Sequence, residues 1–367
     1  MRKMFAFVLA LSMVLMLSLT GCKKTADTPA PTGGTTASTS TDGSTAGGDG
    51  GYDGPVITIK MTTVQLDSQQ MGIAAQQLQK LVDERLAGKV ELLSYPGGQL
   101  YANTEELEAL KTGDIQMCLA VGSTMSTLDP AIGIFKMPFL FPTVDAAYSV
   151  MDGPTGEKLF ANIKDQGINV LGGFSSGSII ISNSKHPIQD PADFSGLKIR
   201  ASGKMESAII DAMGGISTVI PSEETYTGLQ QKVVDGLATP STVFYARKYQ
   251  EVQTYVTNAG MLYWSNGFIL ANDKFWQDLP ADIRDELTAI VEEVLATTRD
   301  ADENELQDML DKVEAEGCEV VRELTMDQVE AWREATKSVY TQYEAEIGKE
   351  LIEEVQKAVD EYMAANG

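Results

Sequence analysis

Histidine is almost missing from this 367-residue chain. Its one copy, His186, sits in the turn-like stretch NSKHPIQDP and reads as a surface residue, so imidazole-based catalysis has no residue to perform it. Cysteine is scarce too. Of the three, Cys118 and Cys318 lie far apart in apolar or strand-like contexts (IQMCLAV, EGCEVV) and read as separate buried thiols. No CxxC, HExxH, GxxxxGK[ST] or EF-hand loop occurs, and LGGFSSG lacks the GxGxxG spacing, so no metal and no cofactor is expected. Positive charge is in deficit: 28 Lys and Arg stand against 52 Asp and Glu, a net charge of -24 with a pI near 4.4. Such a surface repels nucleic acid and anionic lipid, which excludes a phosphate-tracking role.

Long apolar runs are confined to one place. MFAFVLALSMVLMLSL follows Arg2 and Lys3, a charged start and short apolar stretch that read as a secretory signal rather than a membrane span. It ends in LTGC, Leu19 to Cys22, which resembles the bacterial lipobox. Residues 1–22 are therefore expected to be a lipoprotein signal, with Cys22 the lipidated residue that anchors the chain to the membrane. Residues 23–54, rich in Gly, Ser, Thr and Ala, are expected to form a flexible tether.

From Pro55 onward, apolar periodicity alternates between strand and helix. VITIKMTTV is β-branched, QQMGIAAQQLQKLVDERL repeats Ile73, Leu78, Leu81, Val82 and Leu86 at helical spacing, and KVELLSY follows, which makes a βαβ unit. TEELEALK has Asn103 as N-cap and Gly113 as its stop, and DIQMCLAV is the strand behind it. The alternation continues through INVLGG, SIIIS, GLKIRA, KMESAIIDAM and ISTVIP to SEETYTGLQQKVV, with Ser222 as cap. Two α/β domains with mostly parallel sheets are predicted. Residues 281–316 contain neither Pro nor Gly and keep apolar spacing on both sides of TTRDADENE. One helix there would be about 54 Å long at 1.5 Å per residue, enough to cross between domains. Two helices broken near 300–304 is the other reading.

Several stretches, in order, resemble the substrate-binding subunit of a tripartite ATP-independent periplasmic (TRAP) transporter of the DctP type, from about Ile57 to about Tyr343. They are YPGGQL, LKTGDIQM, KMPFLFP, DFSGLKIR, EETYTGLQQKVVDG and FWQDLPADIRDEL. The resemblance implies an α/β, two-lobed fold of the periplasmic-binding-protein type II kind, with a long helix (281–316) spanning both lobes. Lobe I would comprise 55–177 and 266–300, and lobe II 178–265 and 301–367. It implies a monomeric, extracytoplasmic solute-binding protein, not an enzyme, that captures a small organic acid and delivers it to a TRAP membrane permease.

In that family the arginine ending GLKIR pairs with the ligand carboxylate, and the role falls on Arg200, whose guanidinium fork can bond both oxygens. Thr239 of LATP stands where the family has an asparagine that contacts ligand. Ser222 and Asn103 occupy loop positions that face the cleft, although each also suits helix capping. A second family arginine is expected in the SIIIS region, where Ile179 stands instead. Losing a cation and an amide points to a monocarboxylate with an apolar or aromatic body, walled by Tyr245, Tyr263 and Trp264. A binding protein of an ATP-driven transporter is the nearest rival, and a secreted enzyme a more distant one. The motif order and long helix favour the TRAP reading over the first. The second lacks a recognisable catalytic motif.

Overall fold

Alternating short apolar and helical segments require each helix to cover a sheet face, and the chain builds two sheets in this way. The computed structural model describes residues 51–300 and 302–366. The expected signal, the expected lipidation at Cys22 and most of the expected tether lie outside these residues. At the tether's far end, expected to run to Gly54, Tyr52 is already fixed: its N–H donates to Asp282 Oδ2 at 2.6 Å and its ring packs on the core. That bond also holds the Asp282 carboxyl below its ordinary range.

The first half runs β1 (Ile57–Thr63), α1 (Gln70–Arg85), β2 (Val90–Tyr95), α2 (Glu106–Thr112), β3 (Met117–Val121) and α3 (Gly122–Met125). A 3-10 helix (Pro130–Lys136), α4 (Val144–Met151), α5 (Pro154–Lys164) and β4 (Ile168–Ser175) complete it. The second half runs β5 (Ile179–Asn183), β6 (Lys198–Ala201), α6 (Lys204–Ala212), β7 (Ile216–Val219), α7 (Thr225–Gln230), β8 (Gly236–Pro240), α8 (Ser241–Ala246) and β9 (Tyr255–Gly260). The chain then returns with β10 (Asn266–Asn272), α9 (Asp273–Asp278) and α10 (Ala281–Asp300). It ends with α11 (Asp302–Ala315), β11 (Glu319–Val321), α12 (Met326–Ile347) and α13 (Lys349–Asn366).

The strands form a five-stranded sheet, β2-β1-β3-β10-β4, and a six-stranded sheet, β11-β9-β5-β8-β6-β7. Mostly parallel sheets were expected, but each is mixed. β10 runs antiparallel to β3 and β4, and β5 antiparallel to β8 and β9. The reason is topological: β5 and β10 are reached directly from a strand of the other sheet with no helix between, so each enters its sheet from the opposite end, whereas β11 arrives through helices and runs parallel to β9. The two crossings lie side by side, tied by Ser176 N–H to Ser265 O at 2.8 Å. Gly177, within the first crossing, has φ +93°, and a Cβ there would stand 2.6 Å from Ser241 Oγ, so only glycine suits the crossing.

α1 covers the first sheet with Met71, Leu78, Leu81 and Val82, each side chain contributing about 1.5–3 kcal/mol when fully buried. Ile73, expected on that stripe, faces outward instead. α10 packs on α1 and β4 beside the first sheet, and α11 on α8 and β11 beside the second. The two flank residue 301, which is outside the described residues. α12, started by a Thr325/Gln328 capping box, packs on α6 and the 3-10 helix. α13, expected with the second lobe, packs on α4 and is joined through Glu354 to Thr155 and Lys158. Cys118 and Cys318 are buried free thiols, both pushed up in pKa by burial. No helix of the described residues is long and apolar enough to cross a membrane.

Candidate ligand cavity

Arg200 lies on β6, an interior strand between β8 and β7, and is only 4% exposed. Its fork is aimed by the loop after β7: Nε donates to Ile220 O at 2.9 Å and Nη2 to Ser222 Oγ at 3.4 Å. Ser222 is therefore not the cap of α7, which begins three residues later with Glu224 at the N-cap. Its hydroxyl accepts from the arginine instead. Asn103 is not a cap either. α2 has Glu105 at that position, and Asn103 Oδ1 accepts from Thr124 Oγ1 at 2.9 Å. Thr239, on β8 opposite Ile180 of β5, is buried. Arg200, Ser222, Asn103 and Thr239 all line one cavity of about 50 Å³ between the two sheets.

A second arginine, expected to be missing, lines the cavity as well. Ile179 is buried in the core on β5, but Arg247 enters the cavity from the C-terminal end of α8. Nη1 donates to Ser222 O at 3.3 Å and Nη2 to Val64 O at 3.0 Å, so this residue ties the loop after β7 to the end of β1. Nε is buried with no partner. Burial holds the Arg247 pKa below its ordinary value, and nearby Arg200 adds to this against Tyr249 and Glu223. Arg247 lies one helical turn beyond Val243, another cavity-lining residue, and so shares its face, but nothing in the sequence marks that face as the one turned to the cavity.

A third cation, Lys136 of KMPFLFP, lines the cavity, paired with Glu206. The Glu206 carboxylate also accepts from the Ser202 N–H and hydroxyl. Burial pushes the Glu206 pKa up, but Lys136, Ser202 and Arg200 outweigh it and leave the group below its ordinary range. Among the charged lining residues three are cationic and one anionic, leaving the two arginines in excess.

Other lining groups have buried atoms without a partner: Gln65 Oε1, Gln69 Nε2, Ser123 Oγ and both side-chain atoms of Asn266. Asn266, 2% exposed, opens β10 and stands so close to α3 that a Cβ on Gly122 would lie 1.9 Å from its Oδ1. Buried polar atoms left open around a positive surplus fit a polar, anionic ligand. Of the three aromatic walls expected, Tyr263 alone lines the cavity. Trp264 belongs to the core, edge-on to Tyr148 at 5.5 Å, and the Tyr245 hydroxyl donates to Glu316 at 2.9 Å in a surface groove.

The profile of the bacterial extracellular solute-binding proteins of family 7, DctP, matches residues 61–346. The C4-dicarboxylate-binding periplasmic protein DctP of Vibrio cholerae is 36% identical over 301 residues, 81% of this chain and 89% of that protein. The protein of the same name from Rhodobacter capsulatus is 32% identical over 311 residues, covering 83% and 92%. A TRAP periplasmic solute-binding protein from Sulfurospirillum deleyianum, solved with bound succinate, superimposes with a TM-score of 0.75. Its identity is 32%, with 82% of this chain and 98% of that one covered. The sugar acid binding protein DctPAm of Advenella mimigardefordensis, solved with galactonate, gives 0.79 at 26% identity, covering 84% and 99%.

Proposed function

The chain belongs to family 7 of the bacterial extracellular solute-binding proteins, DctP, and from that premise we propose that it captures a C4 dicarboxylate for a TRAP permease. The observation that carries this reading is the two-arginine surplus, Arg200 with Arg247, in a cavity whose third cation is already neutralised by Glu206. A dianion balances two guanidinium groups. A monocarboxylate would leave one of them buried without a carboxylate to pair with directly, which is costly. The monocarboxylate reading rested on a missing second cation and a missing amide; Arg247 supplies a cation from a different element, and Asn103 and Asn266 bring amides to the cavity.

In this reading one carboxylate sits on the fork of Arg200, steered by Ile220 O and Ser222. The other meets the open Nε of Arg247, while Asn103, Thr239 and Asn266 serve the oxygens and backbone of the acid. The family relationship supports a binding protein rather than an enzyme. We further read residues 55–177 with 266–300, and 178–265 with most of 301–367, as lobes that close about the paired crossings at 176–178 and 261–265. The chain would act as a monomer, exported and held to the membrane by lipid on Cys22. Radiolabelled fatty acid carried by wild type but not by Cys22→Ser would test the anchor.

Thermal unfolding in the presence of organic acids tests the ligand class. Succinate, malate or fumarate at about 100 times the dissociation constant should stabilise the folded chain by about 2.7 kcal/mol. A panel in which only monocarboxylates, aromatic or aliphatic, shift the melting temperature would restore the monocarboxylate reading and sink this one.

A further inference from the structure

We propose that the Lys136–Glu206 ion pair is the wall that sets how long an acid the cavity accepts. The proposal rests on the dicarboxylate reading above. Lys136 ends the 3-10 helix beside the first sheet, and Glu206 stands in the first turn of α6 beside the second. Both are nearly fully buried. Each lines the 50 Å³ cavity and also an adjoining pocket of about 600 Å³, the two spaces meeting along Asn103, Ser123, Lys136, Ser202 and Glu206. The larger pocket continues past the pair toward Thr104, Thr127, Lys204 and Val219. Its volume is typical of a small-molecule site, whereas the cavity alone is far smaller.

The partition is stiff because every charged group in it is engaged. Glu206 takes the Lys136 ammonium on one oxygen and two Ser202 donors on the other, and the ammonium lies 5.4 Å over the Tyr263 ring. Pushing the pair apart to admit a longer chain would leave two opposite charges unpaired in a buried place, which is strongly unfavourable. On the dicarboxylate reading a C4 acid is held on the arginine side. Each further methylene is driven against the pair. Because the pair is neutral as a whole, removing both side chains opens the large pocket without changing the two-arginine surplus.

The test compares succinate with adipate by calorimetric titration of the full chain, wild type against Lys136→Ala/Glu206→Ala. The readout is the ratio of the two affinities within each protein. Misfit methylenes discriminate by about tenfold or more each, so wild type should favour succinate by roughly a hundredfold, and the variant should lose at least about a tenfold share of that preference. Wild type binding adipate as tightly as succinate, or a variant with an unchanged ratio, would overturn the wall while leaving the dicarboxylate reading intact. Wild type binding no diacid would overturn both. Should the double variant lack a cooperative unfolding transition, Lys136→Ala/Glu206→Leu, which also leaves no unpaired charge and fills part of the vacated space, carries the same test.

Discussion

Replacing Arg247 by methionine keeps the stem of the side chain as far as the position of Nε and removes the guanidinium. Two of its donors are already engaged by protein carbonyls, Ser222 O at 3.3 Å and Val64 O at 3.0 Å. The buried Nε has no partner, and in the dicarboxylate reading the ligand's second carboxylate gains one charge-assisted bond there. Such a bond contributes about 1.5–3 kcal/mol net, which is roughly one to two decades in affinity. The two carbonyls lose their donor whatever the ligand, so that part of the loss falls equally on every acid. The discriminating assay is therefore a cycle. Succinate and butyrate, which differ in the second carboxylate, are titrated calorimetrically into wild type and Arg247→Met. Succinate should weaken one to two decades more than butyrate. Equal losses for the two acids would refute the assignment, because they would mean that Arg247 only joins the loop after β7 to the end of β1 and never meets the ligand.

For Arg200→Lys, the ammonium cannot reproduce the 2.9 Å bond from Nε to Ile220 O while also forking a carboxylate, so affinity should drop roughly tenfold to a hundredfold. Unchanged affinity would remove Arg200 from the site. Gly122→Ala places a Cβ 1.9 Å from Asn266 Oδ1, and the displaced, buried asparagine should lower both the melting temperature and the succinate affinity, at a stability loss of about 1–3 kcal/mol. An alanine variant with wild-type melting and binding would contradict the contact. Glu106 is buried with both oxygens unpartnered, and burial, with Glu223 nearby, raises its pKa well above the ordinary 4.5. The folded chain thus holds a proton that the unfolded chain releases, so this residue makes stability fall as pH rises above that ordinary value. In urea titrations, the stability difference between Glu106→Gln and wild type should grow in the variant's favour from about pH 4 to about pH 8. A constant difference would show that Glu106 ionises alike in both states.

The strand and helix alternation was legible because local patterns decide it. The β-branched run of β1, the apolar stripe of α1 and the left-handed Gly113 after α2 each depend on neighbours a few residues away. The reversal of β5 and β10 was not legible, since strand direction follows from a direct crossing between the two sheets rather than from any local pattern. Capping by Ser222 and Asn103 failed for a similar reason. A short polar side chain in a loop suits several partners, and here Arg200 and Thr124, distant in sequence, took them.

The sequence by itself determined the acidic surface, the missing catalytic motifs, the two α/β halves and a lone arginine at the end of GLKIR. These are properties of composition, periodicity and motif order, which do not depend on long-range contacts. The tertiary structure decided the charge of the cavity. Arg247 and Lys136 lie 47 residues after and 64 before Arg200 in the chain, on elements that no short pattern links to it. Only the folding of α8 and the 3-10 helix toward β6 brings three cations and Glu206 to one place, because charge balance in a buried site is set by proximity in space and low polarity, not by spacing along the chain.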